Sequence, residues 1–174
     1  EGLLIVSYSG ASPWSVLAQG ISLNVNLSIG VMTFLISITD LLFWVPLKQK
    51  PGIGTILNAL IIAAMIDICI KFVPTPESYY SQLFLAFIAV FTVGLGGGIY
   101  LIANLGAGPR DGLMVGLQNL TNLPIAAVRA FLEISVVSIG WYLGGTVGPG
   151  TLLFAFGIGP AVALGLYLVG KIFS

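Results

Sequence analysis

The sequence predicts an all-α polytopic membrane protein of about six transmembrane helices, arranged as two inverted three-helix repeats that each carry a short re-entrant or interfacial half-helix. Composition, the lengths of the apolar runs and an internal repeat at a fixed offset carry that reading. Of 174 residues, 57% are hydrophobic and only 7% are charged, with a mean hydropathy of +1.09. A soluble domain carries about a quarter charged residues. The lipid bilayer is therefore the implied solvent, and the chain reads as a single membrane domain over residues 1–174. Six basic and six acidic residues cancel, which leaves no basic face for nucleic acid.

The repeat organises everything else. A shift of 96 positions aligns residues 1–78 with 97–174 without a gap, and the matches fall on residues that punctuate structure. Gly10-Ala11-Ser12-Pro13 meets Gly106-Ala107-Gly108-Pro109, Leu17 and Gly20 meet Leu113 and Gly116, and Asn26-Leu27-Ser28-Ile29 meets Asn122-Leu123-Pro124-Ile125. Gly52-Ile53-Gly54-Thr55 then meets Gly148-Pro149-Gly150-Thr151.

Each half opens with an apolar run that ends at the Gly-Ala-x-Pro turn. In the first half this run is a stub ending at Ser9, so the first helix is expected to be truncated. The segments Trp14 to Leu23 and Asp111 to Leu120 are too short to cross a bilayer and read as half-helices. The full-length runs are Ile29 to Val45 and Ile53 to Phe72 in the first half, and Leu83 to Ala103, Ile125 to Leu143 and Thr151 to Val169 in the second. Three spans per half would bring the second half into the membrane upside down, the arrangement of many secondary transporters. Loop charges agree: Lys48, Lys50 and Lys171 fall on one expected face, Glu77 and the uncharged loop Gly144 to Gly150 on the other. By the positive-inside rule both termini are expected in the cytoplasm.

The Gly-Ala-x-Pro turn joins glycines, which tolerate unusual backbone angles, to a proline suited to the first turn of a helix. Gly10 and Pro13, and Gly106 and Pro109, should therefore start the two half-helices. Gly52 and Gly54, with Gly148 and Gly150, are turn residues feeding a threonine cap at Thr55 and Thr151. Arg110 and Asp111 follow the second proline, and a half-helix N-terminus at membrane depth is a place to hold an anionic group; the plainer reading is a capping aspartate beside a headgroup-seeking arginine. Arg129 and Glu133 lie four apart inside an apolar run and can pair on one helical face. Asp40 has no partner at that spacing. Ionisable residues at such depth face the protein interior or a polar cavity and are candidate substrate-binding residues, although a self-neutralised pair could equally dock helices. Asp67 and Lys71 lie near a run end, where snorkelling explains them. Trp14, Trp44, Trp141, Tyr79 and Tyr80 read as an interfacial belt.

No histidine is present and Cys69 is the sole cysteine, so no metal, no cofactor and no enzymatic activity are expected, and no intrachain disulfide can form. Gly145 to Thr151 imitates a phosphate loop but lacks its lysine.

The doubled pattern of Gly10-Ala-Ser-Pro-Trp14, Pro51-Gly-Ile-Gly-Thr55 and Ile66-Asp67, with the copies Gly106-Ala-Gly-Pro-Arg-Asp-Gly-Leu113 and Gly148-Pro-Gly-Thr151, resembles the YczE-type family of bacterial integral membrane proteins. The resemblance implies a multi-pass protein of the bacterial inner membrane, with a full first helix in other members and no catalytic residues to carry over. The function expected is a small transporter-like permease for a small-molecule or ion substrate, with a polar site between the repeats formed by Asp40, Arg110, Asp111, Arg129 and Glu133. The competing class is an accessory subunit held by a membrane-protein partner.

Overall fold

The computed structural model describes residues 1–173, which form eight helices: α1 (Gly2–Val6), α2 (Pro13–Val25), α3 (Ile29–Trp44), α4 (Ile53–Phe72), α5 (Tyr79–Ala103), α6 (Pro109–Thr121), α7 (Ile125–Tyr142) and α8 (Pro149–Phe173). Ser174, the last residue of the second repeat, lies outside the described residues. Four helices, α4, α5, α7 and α8, are long and apolar enough to cross a bilayer, and α2 with α3, bent 115° to each other, make up to a fifth span. Length and hydropathy alone thus give four or five spans rather than six. The described α1 holds five residues and α3 sixteen, below the roughly 20 that a full crossing takes.

The short helices start and stop where the sequence places them. Pro13 and Pro109 occupy the first turns of α2 and α6, where a missing N–H leaves no unmade bond. Asn26 and Asn122, in the left-handed region at φ of 55° and 57°, close the same two helices. The turns before them need glycine: φ is +116° at Gly10 and +118° at Gly106, a region closed to most side chains.

Those two turns meet the opposite half. Gly150 N–H donates to Ser9 O at 2.7 Å, and Gly54 N–H donates to Leu105 O at 2.9 Å. Shifting one bond by 96 positions gives the other with its partners exchanged. The threonine caps repeat within each half: Gly52 N–H donates to Thr55 Oγ1 at 3.1 Å and Gly148 N–H to Thr151 Oγ1 at 3.3 Å, while the Thr55 hydroxyl reaches the other half and donates to Ala107 O at 2.6 Å. Helix contacts follow the exchange as well. A Cβ on Gly20 would strike Leu143, and one on Gly116 would strike Leu47; one on Gly112 would strike Trp44, and one on Gly140 the backbone at Val16 and Leu17. In each case α2 lies on the end of α7, and α6 on the end of α3.

The belt reading fails for Trp14 and Trp44. Both are buried, and with Leu113 and Val136 they form one of three small apolar clusters. Trp44 Nε1 donates to Pro109 O at 2.9 Å, so the ring is held by a buried carbonyl in the first turn of α6. Trp141, Tyr79 and Tyr80 are exposed. Between α5 and α8, Gly94 faces Ala161 and Gly98 faces Gly165 with no room for a Cβ, so small residues bring the two longest helices into close contact.

Gly10→Ala and Gly106→Ala should each destabilise the chain by about 1–3 kcal/mol, since both force a left-handed alanine into occupied space. Gly96→Ala, on α5 with no atom near its would-be Cβ, should leave the melting temperature in detergent micelles unchanged. Equal losses at all three positions would contradict the turn geometry.

Candidate functional site

A cavity of about 350 Å³ lies where the two half-helix starts face α3, α4, α5, α7 and α8. Its wall is drawn from equivalent positions of both halves. Trp14 and Arg110, Thr33 and Arg129, Ser37 and Glu133, Asn58 and Phe154, Ile62 and Ile158, and Glu1 and Gly97 all line it, and each pair is 96 residues apart. The residue types are unequal. The second half supplies Arg110, Asp111, Arg129 and Glu133, and the first supplies hydroxyls, an amide, an indole and Glu1.

Three carboxylates, Glu1, Asp111 and Glu133, and two guanidiniums, Arg110 and Arg129, line the cavity. Glu1 and Arg110 form an ion pair at 3.5 Å. The Ser12 and Ser15 hydroxyls donate to Glu1 Oε2 at 2.6 and 2.5 Å, so this carboxylate sits at the positive end of the α2 dipole. Arg110 also stands over the Trp14 ring, 5.4 Å from its centroid, a cation–π arrangement. Arg129 Nε donates to Glu133 Oε1 at 2.9 Å across one turn of α7. Asp111, in the first turn of α6, has neither an ion pair nor a hydrogen bond among the described residues.

The half-helix starts were expected to receive an anionic ligand. Both already hold a carboxylate of the chain, Glu1 at α2 and Asp111 at α6. With three carboxylates against two guanidiniums the wall is net acidic as ionised groups, which favours a ligand carrying positive charge.

Asp40 does not line the cavity. It lies one turn beyond Ser37 on α3, is 4% exposed, and its Oδ2 has no hydrogen-bond partner. The only other buried side-chain polar atom in that condition among the described residues is Trp14 Nε1, on the cavity wall. Unsatisfied buried polar groups are costly and rare. Arg110, Asp111, Arg129 and Glu133 thus line one cavity, and Asp40 stands behind Ser37.

Glu1, Trp14, Ser12, Ser15, Ser37 and Asn58 were not foreseen. A signal existed for four of them: Trp14 and Ser37 are the 96-shift counterparts of Arg110 and Glu133, and Ser12 and Ser15 those of Gly108 and Asp111. Asp67 was given to snorkelling. Instead it accepts from Ser28 Oγ at 2.6 Å and from the Gly30 N–H at 2.8 Å, tying α4 to the start of α3. Lys71 lies apart, with Nζ 5.4 Å from the Phe72 ring centroid.

A double-mutant cycle should separate the two ion pairs. For Arg110→Met with Glu1→Gln we expect a coupling of about 1–3 kcal/mol, because this pair is largely enclosed. For Arg129→Met with Glu133→Gln we expect less than about 1 kcal/mol, because that arginine is on the open side of the cavity. A larger coupling for the second pair would mean that it is sunk in hydrocarbon.

A family model described as "Family of unknown function (DUF6198)" matches residues 2–166. An uncharacterized protein of Haemophilus influenzae is 44% identical over 172 residues, covering 99% of this chain and 79% of the relative. The uncharacterized membrane protein YczE of Bacillus subtilis is 31% identical over 147 residues, 84% of this chain and 68% of the relative. The uncharacterized protein YyaS of the same organism is 29% identical over 155 residues, 87% and 77% of the two chains. No solved structure matches.

Proposed function

The chain belongs to the YczE-like DUF6198 family of integral membrane proteins, and from that premise we propose that it is a small secondary-transporter-like permease of the bacterial cytoplasmic membrane, its two halves inverted copies with the substrate site between them. The observation that carries the reading is the cavity wall, built from six pairs of positions 96 residues apart. A site on an approximate two-fold axis between inverted halves can open to either face by the same motion run in opposite senses.

The exchanged bonds at Gly54 and Gly150 support the inversion, and the broken segments α2 and α6 support the transporter comparison, since discontinuous helices build midplane sites. Unpaired Asp111 and the acidic balance of the wall favour a substrate with a cationic group. Asp40, buried behind Ser37 with an open oxygen, is the residue we assign to coupling, where a proton or cation would give it the partner it lacks. The break between α2 and α3 and Pro160 inside α8, which removes one helix hydrogen bond, give the helices places to move.

Alternating access can be tested without knowing the substrate. In a Cys69→Ala background, Ser37→Cys places one thiol in the cavity wall. A membrane-impermeant maleimide should reach it from either face, in right-side-out and in inverted vesicles. Labelling from one face only would contradict a permease. Asp40→Asn should then shift the balance of labelling towards one face while leaving the melting temperature within a few degrees, about the effect of 1 kcal/mol.

A further inference from the structure

The two halves differ in one seam. In the first, α3 and α4 lie against each other, and Asp67 closes them by accepting from Ser28 Oγ and from the Gly30 N–H. Gly30 has no room for a Cβ, because Ala63 O and the Asp67 carboxyl fill the space. The 96-shift counterparts of Ser28, Gly30 and Asp67 are Pro124, Ala126 and Ala163. None of these can donate or accept the same side-chain bonds, and the added methyl of Ala126 stands where close approach needs glycine. Correspondingly α7 and α8 are parted: α7 packs on α2 and α6, and α8 packs on α5.

The cavity occupies the parted seam. Thr33 and Ser37, on the cavity wall in α3, are 1% and 6% exposed, whereas the side chains of their counterparts Arg129 and Glu133 on α7 are 47% and 21% exposed. Across the gap, α8 presents Phe154, Ile158 and Val162 to the same cavity, and a Cβ on Gly159 would meet nothing. The α7 side of the cavity is thus charged and the α8 side apolar, and both helices qualify as membrane spans.

Resting on the permease reading above, we infer that the cavity opens sideways into the bilayer between α7 and α8, and that its substrate is an amphipathic molecule with an apolar tail and a zwitterionic headgroup bearing a cationic nitrogen. The tail lies along Phe154, Ile158 and Val162. The headgroup passes Arg129 at the mouth and brings its cationic nitrogen to Asp111, the carboxylate without an ion pair or hydrogen bond among the described residues. A water-soluble solute would have no use for a mouth in the hydrocarbon, and a wholly apolar one would make no use of the Asp111 carboxylate on the cavity wall.

The test uses vesicles of phosphatidylethanolamine and phosphatidylglycerol doped with a phosphatidylcholine whose acyl chain carries a diazirine, with cross-linked residues mapped by mass spectrometry. The native chain should cross-link at Ile158 and Val162 as well as at the outward Phe131 and Phe156. Two variants should close the seam: Pro124→Ser, Ala126→Gly and Ala163→Asp together rebuild the latch of the first half, and Gly159→Trp plugs the mouth where no neighbour is displaced. In both, the cavity cross-links should fall about tenfold while the outward ones persist, the loss expected for removing about 1.4 kcal/mol of occupancy. A photoreactive phosphatidylglycerol should label the cavity several-fold less than the phosphatidylcholine. Absence of cavity cross-links in the native chain, or cavity cross-links unchanged in Gly159→Trp, would overturn the proposal. The Ser37→Cys measurement keeps the two readings apart. Labelling from both faces with an unlabelled cavity leaves the permease and removes the lateral mouth, whereas cavity cross-links with labelling from one face leave a lipid-facing pocket and remove transport.

Discussion

Two backbone hydrogen bonds hold the rest of the molecule in register: Gly150 N–H to Ser9 O and Gly54 N–H to Leu105 O. Each joins the turn before a half-helix to the start of a full-length helix from the other half. With side chains at Gly10, Gly52, Gly106 and Gly148 the backbones could not approach, and a buried N–H left unmade in lipid is costly. Because each half completes the other, the half-helices cannot be placed by local sequence alone. Their starts face the same space and define the cavity.

What that cavity holds follows from charge. Carboxylates at both half-helix starts neutralise the positive dipole ends that would otherwise draw an anion. The guanidiniums are committed to Glu1 and Glu133, so the unmatched groups are an acid, Asp111, and a donor, Trp14 Nε1. The halves differ around the cavity: charged residues on the second copy, hydroxyls and an amide on the first, and a latch at Asp67 that the second copy lacks.

Much of this was legible in the sequence. The run Ile53 to Phe72 is α4 to the residue, and the half-helices lie within two residues of the segments bounded by the Gly-Ala-x-Pro turns. Arg129 and Glu133 stand out in the sequence because an ionisable residue in an apolar run has few physical excuses, and Arg110 and Asp111 because they follow the proline that starts a half-helix. The errors share one cause, which is that side-chain partners from other helices are invisible in one dimension. Trp14 and Trp44 sit near run ends and looked interfacial, yet the close approach of α2, α3 and α6 buries them. Asp67 has a lysine four residues on, yet it bonds to the start of another helix instead. Asp40 is as deeply buried as expected, but the cavity ends one turn short of it.

The central claim is that the halves run antiparallel with the site between them, and the two loops that should then lie on opposite faces give the most direct measurement. In the Cys69→Ala background, Lys50→Cys and Val147→Cys each place one thiol, 97 residues apart, in equivalent loops. An impermeant maleimide applied to sealed, oriented vesicles should label Lys50→Cys only from the cytoplasmic face and Val147→Cys only from the other. Labelling of both thiols from the same face would contradict the account.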